Sequence, residues 1–160
     1  MLLISCLASV SDAYGDVQLS HQVISRGEAA GPYQAFPDAC RLKNGDIACA
    51  FYAGYAHVSQ PTKDWPQGGR ICIVRSKDEG RTWSEPQVLF DGPLDDRDSH
   101  IAQMSDGRLV CTFFTYVEKN DGSPNPYAFD SCLVESQDGG ETWDKSPRVL
   151  ARQWACSAPV

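Results

Sequence analysis

The stretch SKDEGRTW at residues 76–83 recurs 60 residues later as SQDGGETW at residues 136–143. Both copies place Ser, Asp, Gly, Thr and Trp at the same spacing. Ser and Asp side chains hydrogen-bond turn backbone groups and glycine accepts a positive φ, so each copy predicts a tight turn, with its tryptophan packed between strands. We therefore expect a structural role for the shared residues Ser76, Asp78, Gly80, Trp83, Ser136, Asp138, Gly140 and Trp143.

Other segments repeat at nearly the same interval. NGDIACAF at residues 44–51 matches DGRLVCTF at 106–113, and PQVL at 86–89 matches PRVL at 147–150. Within each unit, short apolar runs alternate with turn signals, which predicts four strands per unit. Four-stranded antiparallel units that repeat radially describe the blades of a β-propeller. A β-sandwich is the alternative, but it does not require one turn motif at constant spacing.

Composition limits the possible partners and locations. The chain has 160 residues and a formal charge of −7, and its basic residues are scattered, so nucleic acid is not an expected partner. No apolar run reaches the length of about 18 residues that a membrane span needs. Residues 1–16 resemble a leader segment, which predicts export to the periplasm or the extracellular space. Residues 3–6 also resemble a lipobox, in which Cys6 would carry a lipid anchor.

The cysteines follow the repeat as well. Cys49 matches Cys111, and Cys72 matches Cys132, although the total of seven is odd. Equivalent positions in neighbouring units are packing positions, so free thiols that act as small apolar side chains are expected in preference to disulfides.

The two turn motifs are of the Asp-box type, and together with the unit length they resemble the bacterial and animal sialidases of the Asp-box (BNR) repeat family. The resemblance implies an all-β, partial six-bladed propeller of sialidase type. Blade one would cover about residues 33–91 and blade two about 95–152, and 154–160 would begin a third blade. Residues 17–25 resemble a lone outer strand. An incomplete domain over 17–160 implies further blades elsewhere in the protein, and we expect residues 1–160 alone to be inactive or aggregation-prone.

The resemblance also places the active site on the face opposite the Asp-box turns. Family enzymes hold the sialic-acid carboxylate with three arginines, the first in an Arg-Ile-Pro motif that opens blade one. This chain has Ala35-Phe36-Pro37 there, so the arginine is replaced by Ala35. The remaining two arginines, and the nucleophilic tyrosine with its glutamate, would lie beyond residue 160.

Several residues of this chain are candidates for the site. The family's acid/base aspartate precedes the Asp-box serine by about a dozen residues, which points to Asp64, with an ordinary solvated loop acid as the alternative. The adjacent Trp65 could form an apolar wall, a sugar-stacking platform or a plug for its own loop. The opening of blade two has an aspartate at the position of Asp98. Substrate contacts are therefore predicted for Arg97, Asp98, His100, Asp38, Trp65 and His57. An ordinary polar loop with internal salt bridges is the alternative.

No metal or cofactor is expected. Asp95, Asp96 and Asp98 lack the regular alternation and glycine of a calcium loop, and no His and Cys pair has zinc-ligand spacing.

Three functions remain open at this point. The first is an exported glycoside hydrolase that acts on terminal sialic acid or related glycosides of glycans. The second is a non-catalytic carbohydrate-binding or interaction propeller, which the loss of the arginine favours. The third is a hydrolase or lyase that acts on a non-sialic glycan.

Overall fold

Eight β-strands follow the alternation of apolar runs and turn signals along the chain. The computed structural model describes residues 21–26, 29–119 and 121–155. The strands are β1 (Tyr33–Arg41), β2 (Ile47–Gly54), β3 (Arg70–Ser76), β4 (Gln87–Phe90), β5 (Asp95–Gln103), β6 (Leu109–Glu118), β7 (Tyr127–Ser136) and β8 (Arg148–Arg152). In each unit the second and third strands are rich in β-branched, aromatic and small apolar side chains, which suit a buried pleated sheet.

The strands form two separate four-stranded sheets, in the orders β1-β2-β3-β4 and β5-β6-β7-β8. Every neighbouring pair is antiparallel. The first sheet packs on the second, with β1 and β2 against β5. No helix occurs in the described residues. The prediction of an all-β, partial propeller with four-stranded antiparallel blades is therefore confirmed.

An apolar layer between the two sheets joins the blades. It contains buried side chains of both sheets: Leu42, Ala48, Ala50, Ile71, Ile73, Leu89 and Phe90 of the first, and Ile101, Leu109, Cys111, Phe113, Cys132 and Val134 of the second. Phe90 and Phe113 lie 4.9 Å apart between ring centroids. Each large buried side chain contributes about 1.5–3 kcal/mol, so this layer is the main source of cohesion between the blades.

A second apolar cluster covers the other side of the first sheet. Cys49, Phe51, Cys72 and Val74 form it, and Ile24 from the segment 21–26 packs on it. Residues 21–26 pair with no described strand, and residues 17–20 lie outside the described part, so the lone outer strand expected over 17–25 stays a prediction. The cysteines that the structure describes, including Cys49 and Cys72, are free.

The two Asp-box turns share one hydrogen-bond pattern. In the first, Ser76 Oγ accepts from the Gly80 N–H at 2.8 Å. Asp78 Oδ1 accepts from Ser76 Oγ at 2.9 Å and from the Thr82 N–H at 2.8 Å. The indole of Trp83 donates to the Gly80 carbonyl at 3.1 Å. These bonds to Thr82 and Ser76 lower the pKa of Asp78 to about 2.

The second turn repeats these bonds through Ser136, Asp138, Gly140 and Trp143, with distances between 2.7 and 3.1 Å. The turn also meets the first blade, since Arg75 Nη1 donates to the carbonyl of Gly139 at 2.7 Å. Both Asp-box turns thus stabilise their own hairpins, and the second turn also contacts the neighbouring blade.

Several sequence predictions lie outside the described residues. They are the leader segment 1–16, Cys6 with its lipid anchor, and residues 156–160 of the predicted third blade; 154 and 155 form no strand. The described part contains no helix long and apolar enough to cross a membrane.

Candidate functional site

The predicted substrate-binding residues lie at one end of the two blades. The turns that follow β1, β3, β5 and β7 gather at the opposite end. The site end therefore receives the starts of β1 and β5, the loop at residues 55–69 and the loop between β6 and β7. Arg97, Asp98 and His57 are on these segments.

Matching β-bulges shape the starts of β1 and β5. The register of β1 shifts between Ala35 and Asp38, and that of β5 shifts between Arg97 and His100. Within the bulges Phe36 has φ 54° and Asp98 has φ 49°, both in the left-handed region. A non-glycine residue in this region is costly, and such strain and such bulges are often found next to functional sites.

Arg97 forms a buried ion pair at the start of β5. Its Nη1 donates to Asp95 Oδ2 at 3.1 Å and to the carbonyl of His57 at 2.6 Å. Arg97 is 6% exposed and Asp95 is 0% exposed. Asp95 also accepts from Tyr52 Oη at 2.9 Å and from the Ser59 N–H at 3.1 Å. The carboxylate therefore fixes the guanidinium to the first blade.

Two tyrosine rings flank the guanidinium, and further aromatic rings pack on His57, whose carbonyl the guanidinium binds. Arg97 Cζ lies 5.0 Å from the ring centroid of Tyr52 and 5.9 Å from that of Tyr116. The ring of Phe36 lies 5.6 Å from that of His57, and Tyr33 lies 6.0 Å from His57. The site thus combines a fixed cation with apolar walls, an arrangement common in small-molecule pockets.

Asp98 is the acidic member of this group. It is half-buried, and within the described residues its buried Oδ1 has no hydrogen-bond partner. Burial raises the pKa of the Asp98 carboxyl, while Arg97, His57 and His100 oppose that effect. A buried carboxylate oxygen without a donor is uncommon and adds to the cost of the charged form of Asp98.

Asp38 and His100 occupy equivalent positions after the two bulges. Asp38 Oδ2 accepts from the Ile101 N–H at 2.9 Å and lies 3.5 Å from His100 Nδ1. His100 also lines a groove on the far side of the second sheet, together with Val110 and Leu133. This pair joins β1 to β5, and the charge of His100 also acts on Asp98.

Asp64 and Trp65 lie in a different place. Asp64 is exposed and lines a shallow groove with Trp65, Gln67, Arg70 and Asp91, over the outer strands of the first blade. The indole of Trp65 donates to the carbonyl of Gly68, and Arg70 Cζ stacks 5.4 Å from its centroid. Trp65 therefore closes its own loop, and the structure does not bring Asp64 into contact with Arg97 or Asp98. The roles assigned to Asp64, Trp65 and the substrate-binding residues remain predictions.

Sequence reasoning placed Tyr52 beside His57 at the mouth of the long loop, but it gave no role to Asp95 or Tyr116. Asp95 and Arg97 lie two positions apart on one strand and therefore share a face. This spacing was the sequence signal that could have predicted their pairing.

Asp96, on the other face, is 0% exposed and accepts from the Gly92 N–H at 2.6 Å. Burial raises the pKa of Asp96 to about 8.

The two meander sheets, packed with β1 beside β5, are arranged as neighbouring blades of a β-propeller, the fold of the sialidases that superpose on the chain. Solved structures support this assignment. A protein of unknown function from Dyadobacter fermentans superposes with a TM-score of 0.61 at 26% identity, over 79% of this chain and 38% of its own length. The NanB sialidase from Streptococcus pneumoniae gives a TM-score of 0.59 at 12% identity, over 81% of this chain and 38% of that protein.

Two further structures are similar over shorter parts. Hadza microbial sialidase Hz136 matches with a TM-score of 0.52 at 23% identity, over 69% of this chain and 23% of its own length. An endo-arabinase from Bacteroides thetaiotaomicron matches with a TM-score of 0.51 at 16% identity, over 74% of this chain and 43% of that protein. The chain thus spans less than half of each of these structures. No family model and no curated protein matches the sequence significantly.

Proposed function

We propose that this chain forms part of a sialidase-like glycoside hydrolase, which acts on terminal sialic acid or a related glycoside of a glycan. The observation that carries the proposal is the group of Arg97, Asp98 and His57 at the end where the inner strands of the blades begin. The similar structures include a sialidase and an endo-arabinase, which is consistent with glycan chemistry on such a fold.

In this proposal the chain supplies the first part of the site. Asp98 and Arg97 contact the sugar, with His57 and Phe36 beside it. Asp64 is the predicted acid/base that protonates the leaving oxygen and then activates water, a role that requires the loop at residues 55–69 to carry its carboxylate from the separate groove toward Arg97. The nucleophile and the further arginines come from other blades. Export, inferred from the leader-like residues 1–16, would bring the enzyme to extracellular or periplasmic glycans.

The test is hydrolysis of fluorogenic aryl glycosides by the full-length protein, with an aryl sialoside and several neutral glycosides in the panel. We expect fluorophore release from at least one substrate, and a loss of 10²-fold or more in kcat for Asp64→Ala, about the share that general acid–base catalysis supplies. An active enzyme whose kcat is unchanged by Asp64→Ala would remove Asp64 from the acid/base role.

A non-catalytic carbohydrate-binding propeller is the second candidate. Ala35 favours it, because the position equivalent to Arg97 in the first blade carries no guanidinium, and Ala35 lines a groove on the outer side of the sheet with Pro37 and Phe51. Glycan binding by the full-length protein without release of any aglycone would support this second function over the first.

A further inference from the structure

We propose that the groove beside the loop at residues 55–69 binds one neutral sugar ring through two adjacent hydroxyl groups. The groove has a volume of about 290 Å³ and is lined by Asp64, Trp65, Pro66, Gln67, Arg70 and Asp91. This volume suits a single ring, since clefts for drug-sized ligands measure about 300–1,000 Å³. Such binding goes beyond the proposed hydrolysis, because the groove lies apart from the Arg97 group and its ligand need not be cleaved.

A loosely paired cation and anion line the groove. Arg70 Nη1 lies 3.8 Å from Asp91 Oδ2, too far for a hydrogen bond, and each side chain is 21% exposed. Arg70 opens β3 and Asp91 follows β4, and the pairing of Ile71 with Phe90 sets them side by side. Arg70 Nη2 donates to the carbonyl of Ala30 at 3.0 Å, which limits the movement of the guanidinium. The groove therefore holds a donor and an acceptor at a fixed separation.

Two neighbouring hydroxyl groups of a sugar match this pair. One hydroxyl donates to Oδ2 of Asp91 and its neighbour accepts from Nη1 of Arg70, so the ligand completes hydrogen bonds that the pair does not make for itself. Burial raises the pKa of the Asp91 carboxyl, while Arg70 opposes that effect. A hydroxyl donor would stabilise the charged form, whereas a ligand carboxylate beside Asp91 would be repelled.

The loop supplies a wall for the apolar face of the ring. Trp65 is partly exposed, its indole donates to the carbonyl of Gly68, and Arg70 Cζ lies 5.4 Å from its centroid. Gln67 Nε2 donates to the carbonyl of Asp91 at 3.3 Å and so joins the loop to the end of β4. Because the wall and the polar pair are already held in place, binding costs little ordering of the protein.

The position of the loop separates this binding from catalysis. The groove exists while the loop keeps the described position, in which Asp64 lies away from Arg97. A catalytic role of Asp64 requires the loop to leave that position. Binding in the groove therefore has to be measured apart from hydrolysis.

Fluorine NMR of the full-length protein labelled with fluorotryptophan reports binding at Trp65, whose resonance is the one that Trp65→Phe lacks. The probes are the methyl glycosides of glucose, galactose and mannose, with methoxytetrahydropyran as a ring without hydroxyl groups. We expect at least one glycoside to shift the Trp65 resonance saturably, with a Kd of about 1 mM, the strength that one small ring attains in an open groove. The hydroxyl-free ring should leave the resonance unchanged.

Substitutions of Asp91 test the polar pair. Asp91→Ala should weaken glycoside binding about tenfold, because it removes a charged acceptor. Asp91→Asn keeps the shape without the charge and should weaken binding several-fold, so it serves if circular dichroism shows that Asp91→Ala does not fold. Asp130→Ala is the matched control, since Asp130 also pairs with an arginine, is 25% exposed and does not line the groove. Its Kd should equal that of the wild type.

The outcomes distinguish this binding from the proposed hydrolysis. If no glycoside shifts the Trp65 resonance at concentrations well above that Kd, or if the hydroxyl-free ring shifts it equally, the groove is not a sugar site, whether or not the protein cleaves aryl glycosides. An unchanged Kd in the folded Asp91 variants would also overturn the proposal. Absence of hydrolysis with binding at Trp65 retained would overturn the proposed function and leave the sugar site standing.

Discussion

At the scale of single residues, the ion pair of Arg97 with Asp95 links the site to the interior of the molecule. A buried pair contributes little net stability relative to apolar side chains, but removal of one partner leaves an unpaired charge in a dry environment. Asp95 is 0% exposed and also ties down Tyr52 and the loop at Ser59. The pair therefore fixes the geometry of the pocket more than it adds to the free energy of unfolding.

We expect Arg97→Met to lower the free energy of unfolding by about 3–5 kcal/mol, because Asp95 would lose its cation. The double variant Asp95→Asn/Arg97→Met should recover part of that loss. Urea unfolding followed by circular dichroism measures both values. Arg152→Met is the control, since its pair with Asp130 is exposed and worth about 0–1 kcal/mol. If Arg97→Met and Arg152→Met lower the free energy of unfolding equally, burial of the Arg97–Asp95 pair does not increase the cost of breaking it.

The buried carboxyl of Asp96 predicts how the free energy of unfolding depends on pH. Its folded pKa is about 8, against an ordinary value of 3.8, so between those pH values the folded state keeps a proton that the unfolded state has lost. The free energy of unfolding must then fall as pH rises from 4 to 8, by at most about 1.4 kcal/mol per pH unit from this group. Below pH 4 both states are protonated, and the stabilisation is fully present.

Asp96→Asn should remove most of that slope, because asparagine stays neutral and can still accept from the Gly92 N–H. Thermal melts at pH 5 and pH 8 test this expectation. The difference in Tm between the two pH values should shrink in Asp96→Asn and persist in Asp121→Asn, an exposed loop substitution. If both variants keep the wild-type slope, Asp96 does not control the pH dependence.

At the scale of elements, the two Asp-box turns are equal in internal bonding and unequal in surroundings. A Cβ on Gly140 would lie 2.2 Å from Arg75 Nη2 and 3.0 Å from a Leu109 methyl carbon, whereas the nearest atom to one on Gly80 is 3.9 Å away. Both glycines have a positive φ, 88° and 81°. The second turn is therefore constrained by its contact with the first blade as well as by its own conformation.

Gly140→Ala should consequently destabilise the protein more than Gly80→Ala, by about 0.5–1.5 kcal/mol, because Arg75 must swing aside and lose its hydrogen bond to the Gly139 carbonyl. Chemical denaturation of the two variants side by side gives the difference. The conformational cost of a left-handed alanine is common to both and cancels in this comparison. Equal destabilisation would mean that Arg75 moves aside freely and that the contact between blades is weak.

The same elements show what the sequence could and could not predict. Local sequence patterns were enough to predict the strands, the short turns between them and the Asp-box turns, because each of these depends on residues close in the chain. The hydrogen bond of Tyr52 with Asp95 joins residues 43 positions apart and depends on how two blades pack. The left-handed backbone conformation of Phe36 could not be predicted either, since no local sequence signal marks a bulge at a bulky residue.

At the scale of the whole molecule, the repeat shows which surface is open. Leu89 and Leu150 are equivalent in the two blades, yet Leu89 is 5% exposed and Leu150 is 42% exposed. The second sheet covers Leu89 in the layer between the blades. Leu150 instead lines a groove of about 440 Å³ with Met104 and Leu133, on a face that no described residue covers.

We therefore expect residues 1–160, expressed alone, to self-associate through this outer face, since burial of each leucine contributes about 1.5–3 kcal/mol. Leu150→Lys should shift the protein toward monomer in sedimentation-velocity runs across a range of concentrations. Val88→Lys is the matched control, because Val88 is 48% exposed and does not line the groove. A wild-type chain that stays monomeric at all concentrations would contradict the prediction. If Val88→Lys dissociates the assemblies as well as Leu150→Lys does, the contact lies elsewhere, on the outermost strand of the first blade.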